Sequence, residues 1–346
     1  RIGKSPIAIP AGVTVQVKDN VVTVKVDNAE QPNSRWYSGC GIYRNVWLRI
    51  VNDSHITKDG TFITSRADSL FIETEVNGPT DNLMLRHSVI APDGTLVATS
   101  SKELGGKNDH QSIKVDSPIL WDVNSPQLYT VISSLVDMTD GRVADVYTTT
   151  TGFRSFNFDS VKGFSLNGRP MKINGVCLHH DAGALGAVVN KSAIRRQLSL
   201  LKDMGCNAIR CSHNPPAPEL LDLCDELGFL VMDESFDMWR KRKSAHDYSR
   251  YFDRWHERDL DDLVRRDRNH PSVIMWSIGN EVLEQWTSAR ADTLSLAEAN
   301  LILNFGHSDE ELAAEASDMS VNSLLTRKLA NRVRSLDPTR PVTSGC

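Results

Sequence analysis

Asp267-Arg-Asn-His-Pro-Ser-Val-Ile-Met-Trp-Ser-Ile-Gly-Asn-Glu281 decides how the rest of the chain is read. A charged helix end runs into a proline turn. The apolar run Val273 to Trp276 that follows reads as a buried strand. The strand closes on Gly279-Asn280-Glu281. An Asn-Glu pair at the carboxyl end of a buried parallel strand stands where α/β barrels keep their chemistry. A carboxyl group half removed from water at such a place is suited to donate a proton. On composition alone Glu281 would be read as the cap of the next helix, so its flanks have to decide.

Outward from this stretch, strands and helices alternate. Met171–Leu178 is an apolar strand. Ser192 opens a helix with Ile194, Leu198, Leu201 and Met204 at helical spacing, and Gly205 ends it. Cys206–Cys211 is a second strand. A helix follows over Pro218–Leu227, stopped by Gly228. Phe229–Met232 is a third strand and Tyr251–Arg268 a long helix. Val273–Ile278 is strand four, Val321–Leu336 another helix, and Pro341–Gly345 begins a fifth strand. Repeated βα units imply a parallel sheet. The polar stretch 283–319, with Trp286 and Phe305-Gly-His307, is too long for an ordinary connection and reads as a helical lid or an elaborated βα insertion.

Upstream the period is two. Val13-Thr-Val-Gln-Val-Lys and Val21-Val-Thr-Val-Lys-Val form a hairpin, joined by the turn Lys18-Asp-Asn20. With Gly39–Leu48, residues 1–52 read as strand-rich. Residues 53–152 carry short alternating strands, such as Phe71–Val76 and Met84–Ile90. Turn signals recur at Asn77-Gly-Pro79, Gly105-Gly106 and Asp140-Gly141, which suggests an immunoglobulin-like sandwich. Trp121-Asp-Val-Asn-Ser-Pro-Gln-Leu-Tyr129 reads as an edge turn that packs aromatics.

With 346 residues the chain is too long for one ordinary domain. Its formal charge of −5 offers no basic face for nucleic acid or anionic membrane. No apolar run approaches the ~20 residues of a membrane span. The six cysteines form no C-x-x-C pair or zinc motif and read as buried, reduced thiols. The chain opens at Arg1 inside a strand-rich region, so it reads as a fragment. Export is therefore undecided between a periplasmic or secreted and a cytoplasmic bacterial protein.

Three stretches carry a resemblance. The opening segment resembles the acid/base signature of glycoside hydrolase family 2. Asn207-Ala-Ile-Arg-Cys-Ser-His213-Asn-Pro, with Leu220-Leu221, Asp225 and Gly228–Met232, is similar to that family's other signature, with Asn214 where the family usually has Tyr. Trp36-Tyr-Ser-Gly-Cys-Gly-Ile-Tyr-Arg44-Asn-Val-Trp-Leu48 resembles the end of its sugar-binding domain. The resemblance implies the end of a jelly-roll sugar-binding domain over 1–52, an immunoglobulin-like β-sandwich over 53–152, and the first part of a TIM (β/α)8 barrel over 153–346.

It also implies a retaining glycosidase. Glu281 would be the acid/base and Asn280 would bind the sugar 2-hydroxyl. Arg210 would hold the nucleophile ionised, and His179, His213 and Asn214 would touch substrate. Polar groups at the ends of four consecutive strands (His179-His180-Asp181, Arg210 to Asn214, Asp233-Glu234, Asn280-Glu281) fit a barrel site. Asp233 and Glu234 read as hydrogen-bonding groups behind it, and Trp239 as an apolar wall for a sugar face. The family's nucleophile ends strand seven, so the chain would carry half of the catalytic pair. Some members hold Mg²⁺ beside the acid/base. Here Ser235-Phe-Asp237-Met-Trp239 lacks the Glu-x-His expected for that, so no metal or cofactor is assigned. The wording of Leu178–Gly186 and Ser212–Pro216 favours β-galactosides, with β-glucuronides or β-mannosides as alternatives. A non-catalytic carbohydrate-binding protein is a further alternative, and a homo-oligomer is open for the full-length protein.

Overall fold

The computed structural model describes residues 13–18, 21–282, 285 and 321–345. The stretch 283–319 read as a lid therefore lies outside the described residues, but for 285, and so does Cys346. Strands β1 (Val13–Lys18) and β2 (Val21–Val26) pair antiparallel, with Lys18 opposite Val21. Contrary to the strand-rich reading of 1–52, residues 27–54 form no strand. Their polar groups bind the barrel instead: Arg44 donates through Nη2 to the Pro215 carbonyl at 2.8 Å.

Seven strands then build two antiparallel sheets. β3 (His55–Arg66), β4 (Ser69–Asn77) and β7 (Asn108–Lys114) form one, in the order β3-β4-β7. β5 (Leu83–Ile90), β6 (Leu96–Glu103), β8 (Tyr129–Asp137) and β9 (Val143–Thr151) form the other, in the order β6-β5-β8-β9. The period-two pattern sets which side chains face inward. On β4 Leu70, Ile72, Thr74 and Val76 are buried while Phe71 is exposed.

A small sheet follows that the sequence reading missed: β10 (Phe156–Asp159), β11 (Gly163–Leu166) and β12 (Arg169–Pro170). Its signal was present in Asn167-Gly168. Both residues have positive φ, as the commonest two-residue hairpin turn requires. Phe164 and Leu166 of this sheet pack with Trp121 against Ala208, Leu230 and Ile274 at the amino ends of the barrel strands. Trp121 leads into the expected turn, closed by the Asp122–Ser125 bridge, and it does pack aromatics. It is fully buried between sandwich and barrel, and its indole N–H donates to the Asp225 carbonyl at 2.9 Å. Deleting such a ring costs about 3–5 kcal/mol.

The barrel part is a five-stranded parallel sheet in sequence order: β13 (Gly175–Leu178), β14 (Ala208–Cys211), β15 (Leu230–Glu234), β16 (Val273–Asn280) and β17 (Val342–Gly345). Helices α1 (Lys191–Asp203), α2 (Pro218–Leu227), α3 (Ser249–Asp267) and α4 (Val321–Leu336) lie between the strands. Asn190, not Ser192, caps α1, because its side-chain oxygen reaches the Ala193 N–H at 3.0 Å. α2 starts on Pro218 and stops at Gly228 in the left-handed conformation. α3 buries Phe252, His256, Leu260, Leu263 and Val264 on one face. The thiols only partly follow expectation. Cys211 and Cys224 are buried, and burial raises both well above their ordinary pKa. Cys40 and Cys177 are exposed, the latter on edge strand β13.

The turn before β16 ties these parts together. Asn269 accepts from the Ile63 N–H and donates to the Thr61 carbonyl, both at 2.8 Å, so it pairs with β3. The Asp225 carboxylate accepts from the Ser272 N–H at 2.9 Å and lies 2.6 Å from His270 Nδ1. Burial alone would lower the His270 pKa. Asp225, with Asp267 and Asp222, outweighs it and raises the imidazole above its ordinary value. The stability this pair contributes is full below the unfolded value of about 6.5 and is lost as pH climbs through the higher folded value. Urea midpoints should thus fall with rising pH above about 6.5 more steeply in wild type than in His270→Asn. Identical slopes would exclude the pair as the cause.

Candidate active site

The carboxyl ends of β13 to β17 bring the expected polar side chains into one bonded set. Glu234, the last residue of β15, is fully buried. Charge without water must be paired. Its Oε2 accepts from Arg210 Nη2 at 2.9 Å and from Ser277 Oγ at 2.7 Å, and Oε1 accepts from His213 Nδ1 at 2.7 Å. Arg210 Nη2 also donates to Asn280 Oδ1 at 2.7 Å. Burial would lower the Arg210 pKa, but Glu234 raises it overall, so the guanidinium stays charged.

Asn280 passes the network on. Its Nδ2 donates to Asp237 Oδ1 at 2.8 Å, an oxygen that also accepts from Lys243 Nζ at 3.0 Å and Arg35 Nη2 at 2.9 Å. Burial pushes the Asp237 carboxyl up. Lys243, Arg35 and Asn280 together overcome that and hold it below its ordinary pKa. Arg35 then reaches Glu281 Oε2 at 3.5 Å. An unbroken chain of polar contacts runs from Glu281 to His213.

Trp36 closes the other side. Its ring centroid lies 5.1 Å from that of His179 and 5.5 Å from that of His213, and the two imidazoles are 5.1 Å apart. Burial first, then the neighbouring His213, lowers the His179 pKa, so this ring is neutral at pH 7. Trp36, His213, Asn214 and Asp237 border a cavity of about 810 Å³ that Tyr248 and Tyr251 also line.

Glu281, Asn280, Arg210, His213 and His179 thus share one neighbourhood, and Asn214 borders it. Trp239 does not act as an apolar wall. Its ring is 0% exposed, with Nε1 donating to the Ile278 carbonyl at 2.8 Å. The ring fastens the loop after β15 to β16 and has no free face for a sugar. His180 is likewise structural, with Nε2 2.7 Å from the Ala187 carbonyl. Asp233 stands apart from the hydrogen-bonded set. Both its carboxyl oxygens are buried without a partner, and burial, then Asp267, raises its pKa well above the ordinary value.

The two cations beside Asp237 and Glu281 weigh against a magnesium ion there: Asp237 Oδ1 is shared by both and by an amide, and Glu281 faces one of them, while Asp237 Oδ2 is buried without a partner. Among the described residues no group of three or more His, Cys, Asp or Glu is placed to hold a metal.

Two family models match the chain: Glycosyl hydrolases family 2 over residues 55–154, and the TIM barrel domain of that family over residues 159–305. The chain belongs to glycoside hydrolase family 2. It is similar to a β-galactosidase of Bacteroides ovatus, 58% identical over 343 residues that cover 94% of this chain and 40% of that protein. Among solved structures it is similar to a family 2 glycosyl hydrolase from Bacteroides cellulosilyticus, at a TM-score of 0.79 and 36% identity, covering 93% of this chain and 39% of that one. It is also similar to a β-glucuronidase from Bacteroides uniformis, at a TM-score of 0.71 and 31% identity, covering 93% and 38%. The chain therefore spans about two fifths of the length of these relatives.

Sequence reasoning missed three builders of this family 2 site. Arg35 contacts Glu281 across 246 positions, a separation no local pattern reveals. Trp36 was quoted only for its place in the sugar-binding resemblance. Lys243 ends the basic run Arg240-Lys-Arg-Lys243, which in sequence looks solvated.

One glycine is fixed by this packing. A Cβ on Gly345 would lie 1.9 Å from Arg210 Nη2 and 2.9 Å from Glu234 Oε2. Gly345→Ala should push the guanidinium off Glu234 and Asn280. The expected cost is about 1–3 kcal/mol in chemical denaturation, the usual loss when a buried charged hydrogen bond is broken. A change below about 0.5 kcal/mol would show that Arg210 moves freely.

Proposed function

We propose that the protein is a retaining glycoside hydrolase that cleaves terminal β-galactosides, with Glu281 as its acid/base. The observation that carries this reading is the placement of Asn280-Glu281 at the end of β16, tied through Asp237 and Arg210 to Glu234 and His213. A half-exposed carboxyl group held at the end of a barrel strand can protonate a leaving oxygen and later deprotonate water. Asn280 is 2% exposed and gives one N–H to Asp237. Its second amide N–H remains for a sugar 2-hydroxyl. His179, His213 and Asn214 supply further contacts from the same rim, and Arg210 adds a fixed positive charge. The nucleophile is assigned to none of these 346 residues. Glu234 is excluded from that role because Arg210, His213 and Ser277 occupy its oxygens in a water-free setting.

The galactoside rests on the activity named for the Bacteroides ovatus relative, the more similar of the two with a named activity. A β-glucuronide is the second reading. It is weaker because Arg35, the guanidinium beside Glu281, is already shared by two carboxylates and offers little charge to a hexuronate.

In the full-length protein Glu281→Gln should slow hydrolysis of a β-galactosyl disaccharide by ~10²–10⁴, the usual worth of a general acid–base group. An activated aryl β-galactoside should lose less in glycosylation, because a good leaving group needs little protonation. Azide should partly restore its turnover, since a small anion attacks the glycosyl-enzyme without a base. Nuclear magnetic resonance should show the β-anomer released first. An α-anomer, or undiminished disaccharide turnover, would overturn the assignment.

A further inference from the structure

The loop between β15 and α3 turns a lysine inward. Lys243 is 4% exposed although its neighbours in sequence are basic. The loop is anchored on both sides of it. Trp239 bonds to the Ile278 carbonyl, and Phe236 stacks on Tyr248 with ring centroids 5.6 Å apart. The Asp247 carboxylate accepts from the Lys243 N–H at 2.6 Å and the Ser244 N–H at 2.7 Å, which folds the chain back on itself. The Lys243 side chain then reaches the end of β16. Its Nζ donates to the Asn280 carbonyl at 2.5 Å and to Asp237 Oδ1 at 3.0 Å.

The Asn280 carbonyl belongs to the peptide unit that joins Asn280 to Glu281. The N–H of that unit donates to the Gly345 carbonyl on β17 at 2.6 Å. Both polar atoms of one peptide plane are therefore held from opposite sides. The residue that follows, Glu281, has φ +43°, a left-handed conformation that a side chain with a Cβ resists unless its surroundings impose it. Rotation of the Asn280–Glu281 peptide would relieve that conformation and swing the carboxylate to a new direction. These two hydrogen bonds oppose it. The bond from Lys243 is made by a charged donor out of water, the stronger kind.

We propose that Lys243 is a positioning residue for the acid/base. Its ammonium grips the Asn280 carbonyl and so fixes the left-handed turn that aims Glu281 at the substrate. The same ammonium, with Arg35, supplies the positive charge beside Asp237 and Glu281. The inference rests on the reading of Glu281 as acid/base, and it makes Lys243 act through that residue rather than on the sugar.

The test uses the full-length protein with Lys243→Met, Lys243→Arg and Glu281→Gln, alone and combined. A crystal structure of Lys243→Met should show the Asn280 carbonyl rotated and Glu281 out of the left-handed region. Disaccharide turnover should fall by ~100-fold and activated aryl turnover by less than ~10-fold, the pattern of lost proton donation. Lys243→Met added to Glu281→Gln should cost no more than about twofold, because the group it positions is already disabled. Lys243→Arg, which keeps a cationic donor, should recover most of the disaccharide activity. A Glu281 φ still near +43° in Lys243→Met would overturn the proposal. So would losses equal for both substrates, or losses that multiply with Glu281→Gln. If Glu281→Gln alone leaves disaccharide turnover intact, the functional reading fails, and the Lys243→Met structure still decides the clamp. Should Lys243→Met not fold, Lys243→Arg carries the same contrast: an equal loss on both substrates counts against positioning.

Discussion

A carboxylate shut away from water has to be surrounded by donors, and Glu234 imposes that condition on the whole mouth of the barrel. Two strands answer it. β14 sends Arg210 and, just past its end, His213, and β16 sends Ser277. The guanidinium that satisfies Glu234 is then fixed closely enough to orient Asn280, and Asn280 in turn orients Asp237. Removing one partner of a buried pair leaves an uncompensated charge, worth about 3–5 kcal/mol. Errors at any link are therefore costly, and the side chains hold one arrangement. Close packing does the same for the backbone: Gly345 has no Cβ because Arg210 occupies that space.

The site depends equally on parts far from it. The β-sandwich docks at the amino end of the barrel through Trp121 and Asn269, beside the Asp225–His270 pair within the barrel. These contacts set the start of β16, and Asn280-Glu281 is its other end. Residues 33–44 come from the chain before the sandwich and reach the carboxyl end, where Arg35 and Trp36 border the polar network. Barrel strands, sandwich and leading segment therefore all contribute to one cleft.

Much of this was legible in the sequence, for identifiable reasons. α2 and α4 lie where helical spacing put them, because Pro218 and Gly228 punctuate the first and Asp337-Pro338 follows the second. Strand ends were legible because a barrel places polar groups there and apolar runs elsewhere. Failures came where tertiary contact overrides local pattern. Gly39–Leu48 was grouped with the hairpin as strand but spends its polar groups on barrel loops. Trp239 looked like a sugar platform because an aromatic near a strand end reads that way, yet its indole N–H found a carbonyl inside. Lys243 was hidden by its basic neighbours, since composition cannot show which one of four charges turns inward.

The most direct test is a crystal structure of the full-length protein trapped with a 2-deoxy-2-fluoro-β-galactoside that accumulates the glycosyl-enzyme. The account predicts a labelled carboxylate other than Glu281 or Glu234, roughly 5–5.5 Å from the Glu281 carboxyl, with the sugar 2-position facing Asn280. A separation of roughly 6.5–9.5 Å, or label on Glu281 or Glu234, would contradict it.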